Sequence, residues 1–130
     1  MTLEEARDFF SNDIYATEQT DIKIIEIAQN FSKCELVISK IHMNADNKVM
    51  GGVFYTLADF AFAVATDAKN TKTVTTSATI SYLSPAKGKK LIAECRMIKE
   101  GRTLCTYETV IMDDAGTKNA VIISNGMHLA

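Results

Sequence analysis

The sequence predicts an α+β fold: an antiparallel sheet curled around one long buried helix. Three observations lead there. Residues 51–68 are rich in Ala, Leu and Phe, contain no Pro and few β-branched residues, and are apolar nearly all round, the pattern of a helix buried on most sides. Strand-like stretches flank this segment, two before it and four after it, joined by short turns, so that successive strands pair antiparallel. A flat sheet leaves such a helix uncovered, so the sheet has to use its twist to wrap it, with the helix in the concave face.

The elements follow in order. Thr2-x-x-Glu5 is a capping box that opens a helix, and Leu3, Ala6, Phe9 and Phe10 share one face of it. Residues 13–20 read as a short irregular stretch. A strand is expected over 22–28, with Ile22, Ile24 and Glu26 on one face and Lys23, Ile25 and Ile27 on the other; Asn30 to Lys33 is a turn candidate. Residues 34–41 alternate, with Cys34, Leu36 and Ile38 against Glu35, Val37 and Ser39. Residues 42–49, with Asn44, Asp46, Asn47 and Lys48, have loop chemistry. Residues 66–72 close the long helix with polar side chains. Residues 73–84 alternate strictly, Val74, Thr76, Ala78, Ile80 and Tyr82 facing one way and Thr73, Thr75, Ser77, Thr79 and Ser81 the other, and Pro85 ends the run. After a basic connection over 86–90, Leu91, Ala93, Cys95 and Met97 form one face of the next strand. Glu100-Gly101 turns it into a hairpin with residues 103–112. Asp113 to Gly116 makes a second hairpin turn, and 121–129 is the last strand.

Length and composition bound the function. The 130 residues, 47% of them apolar, suit a single domain over 1–130. A net charge of -2 with acids and bases interspersed lacks the basic stripe of a nucleic-acid binder. The apolar run at 50–66 is not expected to enter a membrane, because an acid at mid-bilayer costs about 2.5–3.5 kcal/mol on insertion scales. Residues 1–12 are charged and carry no apolar leader core, so the expected compartment is the cytoplasm. Cys34, Cys95 and Cys105 have no C-x-x-C spacing and read as buried, reduced thiols. With two histidines far apart in sequence, His42 and His128, no metal site is expected, and no cofactor is implied.

The candidate chemistry centres on Asp59, the one charged residue between Met50 and Thr66. An ionised carboxylate in apolar surroundings is costly unless donors or charges meet it, so a buried acid here points to use. Gly51 and Gly52 stand where the helix N-terminus exposes unpaired N–H groups and a partial positive charge, and glycine lets a ligand approach that backbone. Such donors serve an oxygen that turns negative in the transition state. Asp59 lies roughly 12 Å along the helix from Gly51, too far for both to act on one carbonyl within a chain. A site shared between subunits bridges the gap. Each residue also has a plainer role: Asp59 as a hydrogen-bonded structural acid, the glycines as packing points, Asn44 as a turn former, Thr75 as β-prone surface, and Lys87, with Lys89 and Lys90, as a solvated loop.

The order of elements, together with His42-Met43-Asn44, Gly51-Gly52-Val53-Phe54-Tyr55-Thr56-Leu57-Ala58-Asp59 and Tyr82-Leu83-Ser84-Pro85, resembles the hotdog-fold acyl-CoA thioesterases of the phenylacetate-degradation (PaaI-like) branch. The resemblance implies hydrolysis of an acyl-coenzyme A substrate. Asp59 would be the nucleophile or general base, the Gly51 or Gly52 amide would polarise the thioester carbonyl, and Asn44 would hold the attacking water or the thioester. Thr75 would reach the site from a partner subunit. By their charge, Lys87 and Arg102 are candidates to meet the coenzyme A phosphates, and Met50 joins them and Thr75 as an expected substrate-binding residue. The resemblance also implies homodimers or homotetramers with sites at the subunit interface, in keeping with the open edges of a single curled sheet. Met50 departs from the pattern, which has His before Gly-Gly, and a thioether donates no hydrogen bond; His42 is not taken as its replacement. Two other readings stand beside hydrolysis. One is a non-catalytic acyl-CoA binding module, with Met50 marking lost chemistry. The other is a hydratase or dehydratase, which leans on a His with a carboxylate, whereas no His adjoins Asp59 in sequence.

Overall fold

Wrapping one apolar helix with one twisted sheet is the problem this chain has to solve. The computed structural model describes residues 1–69 and 71–130. Helix α1 (Leu3–Phe10) is followed by a π-helical turn (Tyr15–Gln19), strands β1 (Lys23–Ala28) and β2 (Phe31–Val37), a 3-10 turn (Lys40–His42), the long helix α2 (Gly51–Asp67), and strands β3 (Thr73–Tyr82), β4 (Lys90–Glu100), β5 (Leu104–Asp113) and β6 (Lys118–His128). The strands form one antiparallel sheet in the order β1-β2-β4-β5-β6-β3. This is the hotdog arrangement, with α2 packed against all six strands. Asn70, inside the expected polar closure of the helix, lies outside the described residues.

The core forms where the inward face of α2 meets the concave sheet. Leu57, Ala61, Phe62, Val64 and Ala65 pack with Cys34, Leu36, Leu91, Ala93, Cys95, Tyr107 and Ile122, all buried. Phe62 meets Tyr107 edge-on, with ring centroids 5.5 Å apart. Ser32, the one hydroxyl on the inward face of β2, is buried but satisfied, donating to the Ala61 carbonyl at 2.6 Å. The capping box is present, with Thr2 and Glu5 bonded to each other's backbone N–H. The three cysteines are buried and free. Burial pushes the Cys34 and Cys95 thiols up to about 12 and raises Cys105, which disfavours the thiolate at all three.

Several expectations need correction, and bulges explain most of them. Ile25 has no cross-strand partner between the Ile24–Cys34 and Glu26–Lys33 pairs. The extra residue switches the parity of β1, so Ile24 and Ile27 turn toward the core and Glu26 stays outside. A second bulge at Thr76 breaks the strict alternation expected of β3: Thr73 is half-buried, and so are Ala78 and Ile80 at an odd spacing from it. A third, at Ile98, leaves Met97 and Ile98 exposed at the end of β4, and a fourth, at Asn119, buries Asn119 and Ala120 in succession at the start of β6. Bulges also add twist, which is what a sheet needs to curl around a helix. Elsewhere, β2 begins at Phe31, because the turn is confined to Gln29 and Asn30, the latter at φ 57°. Ile41 belongs to the 3-10 turn and is exposed rather than strand. Residues 15–19 are helical rather than irregular, and Phe9 points to solvent. Among the described residues, no helix is long and apolar enough to cross a membrane.

Candidate functional site

The α2 helix is not buried all round. Gly52, Tyr55 and Asp59 are exposed and Thr56 and Ala63 half-buried, at spacings that place them on one helix face. Asp59 is therefore not the enclosed acid that the surrounding sequence implies. A single sheet covers only the inward side of the helix, and Asp59 sits on the side it leaves open. The carboxylate faces a trough of about 320 Å³ lined by Asp13, Ile14, Tyr15, Ala16, Thr56, Phe60 and Ala63. Loss of solvent to these neighbours, and secondarily the charge of Asp13, hold the Asp59 carboxyl above its ordinary value, and no donor among the described residues pulls it back down. An acid held this way is a better base than a free aspartate.

At the other end of this face the helix begins. Met50 is the N-cap residue, in extended conformation, and its side chain forms no cap bond. Its backbone N donates to the His42 carbonyl at 2.9 Å and its carbonyl accepts from Val53 N, so the first-turn amides of Gly51 and Gly52 have no side-chain cap. A second trough of about 290 Å³ opens here, between Asn44, Gly51, Phe54, Tyr82 and the 83–85 segment. Tyr82 packs on Gly51, where a Cβ would lie 3.3 Å from the phenol ring; at Gly52 the nearest obstacle is the flexible end of Met50. Asn44 braces the loop in front of the helix, its Oδ1 accepting from Asp46 N at 2.9 Å and Lys48 N at 3.1 Å. His42 is buried and committed, taking a bond from Ser39 N at Nδ1 and facing the Thr20 carbonyl with Nε2.

Within one chain, then, Gly51 and Asp59 open into different troughs. The other expected residues divide between the two ends of the sheet. Lys87 is two residues from the Pro85 rim of the Gly51 trough, in a loop held by Asp113. Thr75 pairs with Gly126, and Arg102 follows Glu100. Both lie at the opposite end, because β4 runs the length of the sheet, roughly 33 Å in extended conformation.

Asp113 was legible only as a turn residue, yet it anchors the rim. Its buried carboxylate accepts from Lys87 N at 2.7 Å, Gly88 N and the Asn119 amide at 3.3 Å, Ala115 N at 3.0 Å and Thr117 N at 2.9 Å. Burial alone would raise its pKa, but the amides of Lys87 and Thr117, with the Asn119 side chain, outweigh that and bring it to about 2. Asp113→Ala strips these donors of their acceptor, and a loss of about 2–3 kcal/mol is expected in urea unfolding. The carboxylate's own contribution is present above the unfolded value and disappears only as pH falls through about 2.

A second cluster was invisible in sequence. Glu100, Cys105 and His128 bring ligand-type atoms within 4.8 Å of one another at the far end of the sheet. Their charges are met locally: the Glu100 carboxylate is bonded to His128 Nε2, to Lys69 Nζ at 3.0 Å and to the Tyr107 hydroxyl at 2.6 Å, and His128 Nδ1 contacts Thr73 Oγ1 at 2.8 Å. The network ties the ends of β3, β4, β5 and β6 to the end of α2. Cross-strand register brings these residues together, and no local spacing signals it. Asp13 and Tyr15, which line the Asp59 trough, were likewise missed, and Tyr82, on the Gly51 trough, stood in a motif without a role. Tyr82 ends a visible strand, whereas the segment holding Asp13 and Tyr15 shows no periodicity.

Comparison with known proteins supplies the remaining findings. The family model described as "Thioesterase superfamily" matches residues 47–120, which include both glycines and Asp59. A putative esterase of Archaeoglobus fulgidus is 31% identical, over 87% of this chain and 74% of that protein. The acyl-coenzyme A thioesterase PaaI of Escherichia coli is 26% identical, over 85% of this chain and 79% of its own. Among solved structures, a hypothetical thioesterase from Streptococcus pneumoniae with coenzyme A superposes with a TM-score of 0.85 at 16% identity, covering 93% of this chain and 97% of that one.

Proposed function

The chain belongs to the thioesterase superfamily and is a thioester hydrolase, and on that premise we propose that it cleaves acyl thioesters of coenzyme A in a site completed by two copies of the chain. The observation that carries this reading is the separation of Gly51, at the start of α2, from Asp59, two turns along it, into two different troughs. The substrate class is supported by the acyl-coenzyme A thioesterase among the relatives and by the neighbour that contains coenzyme A.

Edge chemistry favours β3 as the joining strand. The outer edge of β1 is blocked, since Arg7 donates to the Ile24 carbonyl through Nε at 3.0 Å and Nη2 at 2.8 Å. The edge of β3 ends the sheet on the other side and is ten residues long. An unpaired edge of that length is a template for another strand. Antiparallel pairing of β3 with its copy about a two-fold axis reverses the ends of the sheet. The Thr75 end of one copy then comes beside the Gly51 and Tyr82 end of the other. A homodimer, or a tetramer of such dimers, satisfies this geometry.

In that site the Gly51 and Gly52 amides of one copy hold the thioester oxygen, and Asp59 of the other takes a proton from water. The water oxygen adds to the carbonyl carbon, and negative charge gathers on the carbonyl oxygen facing the amides. Collapse breaks the carbon–sulfur bond and releases the free acid and the coenzyme A thiolate, which takes up a proton. Direct attack by the Asp59 carboxylate gives the same products through an anhydride that water then opens. Because the Met50 side chain has no donor, the backbone amides carry the oxyanion. Asn44 is assigned to the water or thioester, and Lys87 and Arg102 to the coenzyme A phosphates.

The test is thiol release from a panel of acyl-coenzyme A substrates; no turnover of any of them would end the hydrolytic assignment. Subunit complementation then tests the shared site. Asp59→Asn and Gly52→Val proteins, each inactive alone, should regain activity when unfolded and refolded together, since a mixed dimer holds one intact site. A mixture as inactive as its components would show each site to be complete within one chain.

A further inference from the structure

We infer that the N-terminal π-helical turn is the acyl-binding wall of the site, with Ile14 and Tyr15 holding an uncharged apolar acyl group and Asp13 excluding acyl groups that end in a carboxylate. This rests on the hydrolytic reading above and goes on to name its substrate class. The acyl carbons of a thioester attacked at Asp59 must extend from that point, and the open volume in contact with Asp59 is the trough beneath the turn. Ile14 and Tyr15 are 48% and 63% exposed, adjacent large side chains left in water at its rim. Phe60 and Ala63 of α2 form its other side. A π-helical turn is rare, and such turns are frequent at functional sites; here it follows directly on Asp13 and Ile14 and turns the chain against α2.

The charge pattern of the trough makes the selection specific. Among the described residues its charged lining is Asp13 and Asp59, both acids, with no Lys or Arg. A third carboxylate carried in by a dicarboxylic acyl group would meet repulsion from both and no countercharge, and like charges brought together at an interface discriminate strongly against the wrong ligand. Asp13 is exposed, and its backbone already serves the turn, accepting from Thr17 N at 2.9 Å, so its side chain is open to substitution.

The experiment compares kcat/KM for butyryl- and succinyl-coenzyme A, which share a four-carbon acyl chain and differ in the terminal carboxylate. The wild-type enzyme should prefer butyryl by about 100-fold or more; Asp13→Asn should shrink that ratio by about tenfold, and Asp13→Lys further. Tyr15→Ala should raise KM for hexanoyl-coenzyme A more than it lowers kcat. Equal use of the two substrates by wild type, or a ratio unmoved in folded Asp13→Asn and Asp13→Lys proteins, overturns the inference. The hydrolytic reading fails separately, through absence of turnover or indifference to Asp59→Asn.

Discussion

Asp59→Asn is expected to lower thioester hydrolysis by about 10²–10⁴-fold while raising the thermal midpoint at pH 7. The two effects share one cause. The trough withdraws solvent from the carboxylate, and Asp13 adds a like charge, so the folded protein holds this acid above its ordinary value of 3.8. A carboxyl raised on folding favours the protonated form. Its contribution to stability is complete below the unfolded value and is lost as pH rises through the folded one. At pH 7 the ionised side chain therefore opposes folding, and a neutral amide of the same shape removes the opposition. Calorimetry at pH 7 beside steady-state kinetics reads both. The acid limb of kcat/KM in the wild-type enzyme should also lie above the ordinary aspartate range, since ionised Asp59 is the reactive form. A variant that keeps wild-type turnover removes Asp59 from the chemistry, and one that loses turnover along with stability makes it a structural acid.

Phe62→Ala should cost about 3–5 kcal/mol in urea unfolding, the largest loss of stability expected of a single change here. Phe62 is 2% exposed, meets Tyr107 edge-on, and fills the concave sheet so closely that a Cβ on Gly126 would sit 2.9 Å from its ring tip. The cavity has rigid strands on one side and the helix backbone on the other, so little collapse follows truncation. Phe9→Ala is the control. Both phenylalanines look like core in the sequence, but Phe9 is 49% exposed, and its loss should stay within about 0.5 kcal/mol. A Phe62→Ala protein as stable as Phe9→Ala would mean that α2 is not seated in the sheet as described.

The contrast between these two residues shows where legibility ends. Both lie at positions that a helical period assigns to an apolar face, yet α1 caps the β1 edge while α2 fills the sheet. The same holds at the site. Gly51, Gly52 and Asp59 stand out because their types are improbable where they occur, two glycines at a helix start and an acid in an apolar run. Asp13 and Tyr15 have no such signature, and their part depends on a turn folding back against α2. Asn44 was legible both as a turn former and as a site residue. The structure adds the two bonds by which it holds the loop.

Sequence alone determined the helix, the strand content, the antiparallel pairing and the identity of the odd carboxylate, because apolar periodicity, turn residues and capping act over a few neighbouring positions. Tertiary structure alone decided that Asp59 faces out rather than in, that bulges in four strands break their alternation, and that Glu100, Cys105 and His128 meet. It also decided that Gly51 and Asp59 open into separate troughs. Those outcomes depend on how far one sheet curls around one helix and which edge it leaves bare, a sum of long-range contacts that no short stretch of the chain encodes.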